Sequence, residues 1–260
     1  NRVIELVKKA GEMLIEPKEY KIYQKEGHGN FVTQMDEKMQ AHLVSELQKQ
    51  YPQVGIIAEE KENQKMTQGA YFVIDPIDGT MNFMRQRRDS AISIAYIEEK
   101  QPVWGVIYNP FQKLLWEAEK GKGAFENGEP IHVADTPFSA AVTVFGTAVY
   151  YEELLAKSMY LAYRFIQETA DLRRKGAASL DFCDIARGSG DIFFELSLAP
   201  WDFAAGAIIL QEAGGIATQV DGSPLRFDQT CSLLAATPAC YPRALEIAKE
   251  KMPESWTLAK

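Results

Sequence analysis

Asp75-Pro76-Ile77-Asp78-Gly79-Thr80 is the stretch from which the rest of this chain is read. It follows Tyr71-Phe72-Val73-Ile74, an apolar run that reads as a short buried strand. Two carboxylates therefore arrive at a strand end, three positions apart. Pro76 is expected to stop the strand, and Gly79 permits a tight turn or a close backbone approach. Thr80 places a hydroxyl and a backbone N–H just beyond. Mg²⁺ takes oxygen ligands and is commonly shared between a few carboxylates and a substrate phosphate. This segment supplies carboxylates, a carbonyl, a hydroxyl and exposed N–H groups together. Asp-Pro and Asp-Gly are also ordinary turn formers, so the segment alone leaves a metal site and a plain loop both open.

The surrounding chain narrows the choice. Its 260 residues suit one compact unit or two fused halves, and 46% hydrophobic with 25% charged residues is ordinary globular composition. Lys plus Arg number 28 against 36 Asp plus Glu, a net charge of −8, which disfavours a nucleic-acid binder. An acidic protein that handles phosphate must neutralise it locally, and a bound divalent cation is the simplest means. Cys183, Cys231 and Cys240 lack C-x-x-C spacing and read as buried thiols in a reducing compartment, so a cytoplasmic location is expected. His28, His42 and His132 are scattered, against a histidine zinc site. No apolar run approaches membrane-spanning length, and Arg2 to Ile15 has no signal-peptide core. The start at Asn1 without Met is consistent with trimming.

Along the chain, Val3, Leu6, Val7, Ala10 and Leu14 predict a first helix. Met39, Leu43, Leu47 and Tyr51 predict a second, with Asp36 expected as its N-cap. Lys25 to Asn30 forms a polar loop or hairpin tip between them. Val54 to Ala58 predicts a strand running into Glu59-Glu60. Ser90 to Ile97, Val103 to Tyr108 and Leu114 to Glu119 predict further strands in an antiparallel run, and Asn127-Gly128 signals a hairpin. The second half alternates. Tyr151 to Thr169 is helical, the basic Arg173-Arg174-Lys175 follows, and Gly176-Ala177-Ala178-Ser179 opens a helix to Arg187. Asp191 to Glu195 reads as a strand, and Pro200-Trp201-Asp202 starts a helix ended by Gly214-Gly215. This predicts an α+β half over 1–136, with most candidate metal ligands, and an α/β half over 137–260, packed as one unit.

Three acidic groups thus fall at element ends: Glu59-Glu60, Asp75 with Asp78, and Asp202. Asp202 in a first helical turn could simply complement the helix dipole. Together the three could hold two or three Mg²⁺ ions that clamp a phosphate and acidify a water. A phospho-aspartyl enzyme would want D-x-D-G-T, and here an extra residue separates the aspartates. No G-x-x-x-x-G-K-[ST] loop and no G-x-S-x-G elbow occurs.

Asp75-Pro76-Ile77-Asp78-Gly79-Thr80-Met81-Asn82-Phe83 resembles the metal motif of the inositol monophosphatase family. Pro200-Trp201-Asp202-Phe203-Ala204-Ala205-Gly206 with Glu212-Ala213-Gly214-Gly215 resembles its second signature. Val32-Thr33-Gln34-Met35-Asp36 and Ala58-Glu59-Glu60 match two more of its segments, in the family's order, so the likeness runs essentially end to end. It implies a layered αβαβα sandwich, usually a homodimer, and a lithium-sensitive phosphomonoesterase using in-line attack of a cation-activated water.

Carried over residue by residue, the resemblance implies that Glu59, Asp75 and the carbonyl of Ile77 hold one Mg²⁺. Asp75, Asp78 and Asp202 would hold a second, and Glu59 would contribute to a third, weaker site, with Mn²⁺ as a possible substitute. Thr80, hydrogen-bonded to Asp36, would orient and deprotonate the attacking water. Gly79 and Thr80 would offer N–H groups to the phosphate, Lys25 matches a lysine on the mobile hairpin, and Gly176, Ala178 and Glu195 would line the leaving-group side. Gly176-Ala177-Ala178 replaces the Gly-Thr-Ala frequent in relatives. The implied partner is a small phosphate ester, with no nucleic acid and no membrane. The substrates implied are an inositol monophosphate or a related polyol or nucleotide phosphate, with NADP(H) 2′-phosphatase and fructose 1,6-bisphosphatase activity as alternatives. A non-catalytic phosphate- or metal-sensing module is the alternative of another class.

Overall fold

The structure is a computed structural model that describes residues 2–15, 20–25, 31–60, 69–149 and 151–256. Helix α1 (Arg2–Ile15) buries the predicted Val3, Leu6, Val7, Ala10 and Leu14. Strands β1 (Ile22–Gln24) and β2 (Phe31–Thr33) pair antiparallel, and 26–30 of the expected hairpin tip, His28 included, lies outside the described residues. Helix α2 (Gln34–Gln50) corrects one expectation. Thr33, not Asp36, is the N-cap, and Asp36 is the reciprocal acid of a capping box.

Seven strands follow: β3 (Gly55–Ala58), β4 (Ala70–Asp78), then, after the short helix α3 (Thr80–Met84), β5 (Ala91–Glu98), β6 (Gln101–Asn109), β7 (Leu114–Glu119), β8 (Ala124–Glu126) and β9 (Glu129–Ile131). They form one sheet in sequence order. The expected antiparallel run is correct except at β3 and β4, which are parallel. Asn127 and Gly128, at φ 51° and 86°, make the predicted two-residue hairpin between β8 and β9.

Pro76 does not stop β4. The strand runs on to Asp78 because β3 pairs with it only as far as Ile74, so nothing on that side needs an N–H from residue 76.

The second half contributes β10 (Val142–Phe145), α4 (Glu152–Ile166), β11 (Asp171–Arg173), α5 (Ala178–Ala186), β12 (Ile192–Leu198), α6 (Pro200–Glu212), β13 (Ile216–Thr218), β14 (Cys231–Ala236) and α7 (Tyr241–Ala248). Its five-stranded sheet has the order β11-β10-β12-β14-β13, with parallel and antiparallel pairs.

Strand alternation assigns the layers. Phe72 and Ile74 pack with α1 and α2, while Tyr71 and Val73 face the α5 and α6 side. Phe193 and Leu233 of the second sheet meet the same α5–α6 layer, and Phe194 and Leu234 meet α4 and α7. The order is therefore αβαβα. Helix α6 lies between two sheets, which is why Phe203 to Leu210 is buried on every side and reads as continuous apolar sequence.

Candidate active site

Residues three apart on an unbroken strand point to opposite faces. A bulge removes that difficulty in β4. Asp75 pairs with Ser93 and Asp78 with Ala91, so β4 holds one residue more than β5 over this interval. The extra residue turns both carboxylates into one cleft. Glu59 enters from the end of β3, Asp202 from the first turn of α6, and Glu195 from β12. The cleft is about 440 Å³ and is lined by all five carboxylates together with Gly79, Thr80, Gly176 and Ala178. That size suits a small organic ligand. Lys25 and Asp36 join from behind, through Glu59 and Thr80.

The hydrogen bonds fix each group. Thr33 N–H and Oγ1 donate to Asp36 Oδ2 at 2.7 and 2.5 Å, leaving Asp36 Oδ1 to accept from Thr80 Oγ1 at 3.0 Å. The same Thr80 hydroxyl lies 3.1 Å from the carbonyl of Ile77. It owns one proton, so it serves one acceptor at a time. Asp75 Oδ1 accepts from Ile77 N–H at 2.9 Å, which folds the turn onto the carboxylate. Lys25 Nζ reaches Glu59 at 3.2 Å and Glu60 at 2.6 Å. Asp202 Oδ2 accepts from Ala199 N–H at 2.7 Å, so it caps α6 while lining the cleft.

Three further residues were not predicted as site residues. Ser179 donates to Asp78 Oδ2 through its N–H at 2.7 Å and also through its hydroxyl. In sequence it marked only a helix start. Asn82 Nδ2 reaches the carbonyls of Asp89 at 2.7 Å and Lys175 at 3.1 Å, tying α3 to the segment before α5. Gly146 matters for what it lacks. A Cβ there would lie 1.9 Å from Glu195 Oε2, so the carboxylate occupies the space of an absent side chain. Nothing in the local sequence of Gly146 signals this, because the two residues meet only through the β10–β12 pairing.

Gly79 sits at φ 83°, a left-handed conformation, and a Cβ would come 2.8 Å from the carbonyl of Asp89. Only glycine fits the turn from β4 into α3.

Burial pushes the carboxyls of Asp75 and Asp202 well above the usual range, and Glu59 and Asp78 each raise both further. Burial likewise raises Asp78, Glu59 and Asp36. Glu60 and Glu195 are each lifted to about 7, chiefly by burial. A buried set of like charges is unfavourable unless protons or cations join it.

The donor set is all oxygen, which is the chemistry of a hard divalent cation. Among the described residues no group of three or more acidic, His or Cys side chains is placed to hold a metal ion in the conformation seen. Lys25 holds Glu59, Ser179 holds one oxygen of Asp78, and Ala199 N–H holds one of Asp202. The residues suit such an ion by charge and hardness and line one cleft, but these contacts would have to rearrange for them to hold it.

The model of the inositol monophosphatase family matches residues 2–253. Nus factor SuhB of Escherichia coli strain K12 is 32% identical over 262 residues, covering 98% of this chain and 97% of that protein. Inositol-1-monophosphatase of Bacillus subtilis strain 168 is 31% identical over 225 residues, covering 85% and 84%. A solved IMPase/NADP phosphatase complexed with Mg²⁺ and phosphate superposes with a TM-score of 0.84 at 25% identity, covering 95% of this chain and 92% of that one. The chain belongs to the inositol monophosphatase family and has its layered αβαβα fold.

Proposed function

We propose that this member of the inositol monophosphatase family is a Mg²⁺-dependent phosphomonoesterase acting on inositol monophosphate or a related polyol or nucleotide phosphate. The observation that carries the reading is the gathering of Glu59, Asp75, Asp78 and Asp202 in one cleft beside the Thr80–Asp36 hydrogen bond. Glu59, Asp75 and the carbonyl of Ile77 would hold one cation, and Asp75, Asp78 and Asp202 a second, with Glu59 open to a third. Bound there, Mg²⁺ supplies charge neutralisation and Lewis acidity toward phosphate and water.

The chain's own groups do the rest. When the Ile77 carbonyl is engaged elsewhere, the Thr80 hydroxyl donates to Asp36, and Thr80 Oγ1 would accept the attacking water's hydrogen bond and take its proton as its own proton passes to the Asp36 carboxylate. Gly79 and Thr80 N–H groups would meet the phosphate. Glu195, Gly176 and Ala178 would seat the alcohol, with the carboxylate of Glu195 accepting from its hydroxyls. Lys25 would hold Glu59 until a cation replaces it. The halves 1–136 and 137–260 would act as one unit, since Asp202 and Glu195 come from the second. A homodimer in the cytoplasm fits the three free, buried cysteines and the exposed Met159, Tyr163 and Ile166 of α4. Among the described residues no helix is long and apolar enough to cross a membrane.

The name Nus factor belongs to some relatives. A non-catalytic role here would not require the Thr80–Asp36 pair to survive intact, and it does. Phosphate release from inositol monophosphate, NADP, adenosine 3′,5′-bisphosphate and fructose 1,6-bisphosphate tests the reading. Turnover should require Mg²⁺ or Mn²⁺, cease with chelator and be inhibited by Li⁺. Full activity in stripped protein would overturn it.

A further inference from the structure

Six carboxylates line the cleft: Glu59, Asp75, Asp78, Glu195, Asp202 and Asp181. Asp181 is the one whose neighbours do not explain it. The residue is 2% exposed, and its Oδ1 is sealed from solvent without a hydrogen-bond partner. An acid in the first turn of a helix ordinarily caps free N–H groups or complements the dipole. At α5 the capping contact comes from elsewhere, because the N–H of Ser179 donates to Asp78. Lys175, whose charge acts on Asp181, is bonded to Asp184 instead. Buried polar groups are nearly always bonded, and one that is not calls for a ligand or a function.

Its place in the fold says which part of a ligand it would meet. Asp181 lies three positions after Ala178 on α5, so the two share a helix face. Ala178 and Glu195 form the alcohol side of the proposed reaction, and the charge of Glu195 reaches Asp181. Thr147, just beyond β10, adds a second unspent group to the cleft wall. It is 7% exposed, and its Oγ1 is also without a hydrogen-bond partner. Two separate elements therefore bring spare hydrogen-bonding capacity to this cleft. A carboxyl matches an alcohol hydroxyl in either protonation state, since it accepts when ionised and both accepts and donates when protonated. A leaving group without hydroxyls would leave it unpaired, which is how a buried polar group discriminates between ligands.

We propose that Asp181 is a specificity-determining residue, its carboxyl sharing a hydrogen bond with a hydroxyl of the ester's alcohol portion one helical turn beyond Ala178. The inference rests on the phosphomonoesterase reading above and adds to Glu195 a second reader of the alcohol's hydroxyls.

The test compares the full-length, Mg²⁺-loaded chain with Asp181→Ala and Asp181→Asn on an inositol monophosphate and an aryl phosphate. In Asp181→Ala, kcat/KM for the inositol ester should fall about tenfold further than for the aryl ester, mainly through KM, as expected for one lost hydrogen bond. Asp181→Asn keeps an acceptor and a donor at the same place and should recover part of the loss. The melting temperature of both variants should equal or exceed that of the wild type, because no internal hydrogen bond to Oδ1 is lost. Free inositol gives a readout without turnover: the rise in melting temperature that it produces in the wild type should shrink in Asp181→Ala.

Equal losses on both esters with a lowered melting temperature would make Asp181 a support of the fold and overturn the proposal. An unchanged preference between the esters in both variants would also overturn it. If the wild type cleaves neither ester, the phosphatase reading fails instead, and the inositol shift decides whether Asp181 holds a hydroxyl-bearing ligand; the same shift in wild type and Asp181→Ala, or none in either, would sink the assignment.

Discussion

Without the proposed cation this protein should become less stable as pH rises, and Glu60→Gln isolates one residue's share. The Glu60 side chain is 8% exposed and bonds Lys25 at 2.6 Å. Burial and then the charge of Glu59 lift its pKa to about 7 from an ordinary 4.5. A carboxyl with a raised folded-state pKa gives stability that is fully present below about pH 4.5 and is lost as pH climbs through about 7. At roughly 1.4 kcal/mol per pH unit the full effect is about 3 kcal/mol, and the half-buried Lys25 beside it admits enough water to leave about 1–2 kcal/mol. Glu59, Asp75, Asp78 and Asp202 are shifted in the same direction and steepen the same slope. Urea unfolding of chelator-treated protein at pH 5 and pH 8 measures it. The wild type should lose stability over this interval, and Glu60→Gln should lose about 1–2 kcal/mol less. Saturating Mg²⁺ should stabilise most at pH 8, where the carboxylates are ionised. An identical pH dependence in the variant would refute the assignment of Glu60, and stripped wild type that gains stability toward pH 8 would refute the cluster argument as a whole.

Two further perturbations test how the site is built. Thr80→Ala should lower kcat by ~10²–10⁴-fold with KM little changed, because the hydroxyl bonded to Asp36 would no longer orient the water; a near-normal kcat in folded protein would reduce Thr80 to a turn residue. Gly146→Ala places a methyl where Glu195 Oε2 now sits, 1.9 Å away, and should move that carboxylate out of the cleft. It should then mimic Glu195→Gln, changing kcat/KM for inositol phosphate relative to an aryl phosphate by about tenfold; parallel losses on both esters would show that Glu195 supports the fold.

The fold was legible where one surface is buried and the other is not. The stripe Val3, Leu6, Val7, Ala10, Leu14 and the alternation in β5 to β7 map directly onto packed faces. Failures occurred where a strand partner or a neighbouring residue overrode a residue's own signal. Pro76 reads as a strand stop, yet β4 continues because β3 has already ended. Asp36 reads as a cap, but Thr33 holds that position with both an N–H and a hydroxyl available to bond the aspartate. The acidic site residues were visible as carboxylates at element ends. Ser179 and Gly146 were not, because their roles are contacts with Asp78 and Glu195, 101 and about fifty positions away in the chain. Such contacts have no period and no local composition to betray them.

Those long-range contacts explain how an acidic chain can present six carboxylates to an anionic substrate. Asp181 aside, none of the five proposed site acids that line the cleft is loose. Glu59 is held by Lys25, Asp75 by the Ile77 N–H, Asp78 by Ser179, Asp202 by the Ala199 N–H, and Glu195 leans on the Ala148 N–H at 3.4 Å in the space left by Gly146. Each contact orients an oxygen without supplying a full neutralising charge, except at Lys25. The cleft therefore stays electrostatically unsatisfied while it stays geometrically fixed, and on the proposed reading the free energy invested in burying like charges would become affinity for cations. A core of Phe, Ile and Ala shared between both sheets supplies the rigidity that tolerates this. Glu212 adds a polar tie, accepting from the N–H groups of Gly121 and Gly123 across the two halves. Stability is given up at the site and recovered beneath it, which is the pattern expected where local rules are broken for function.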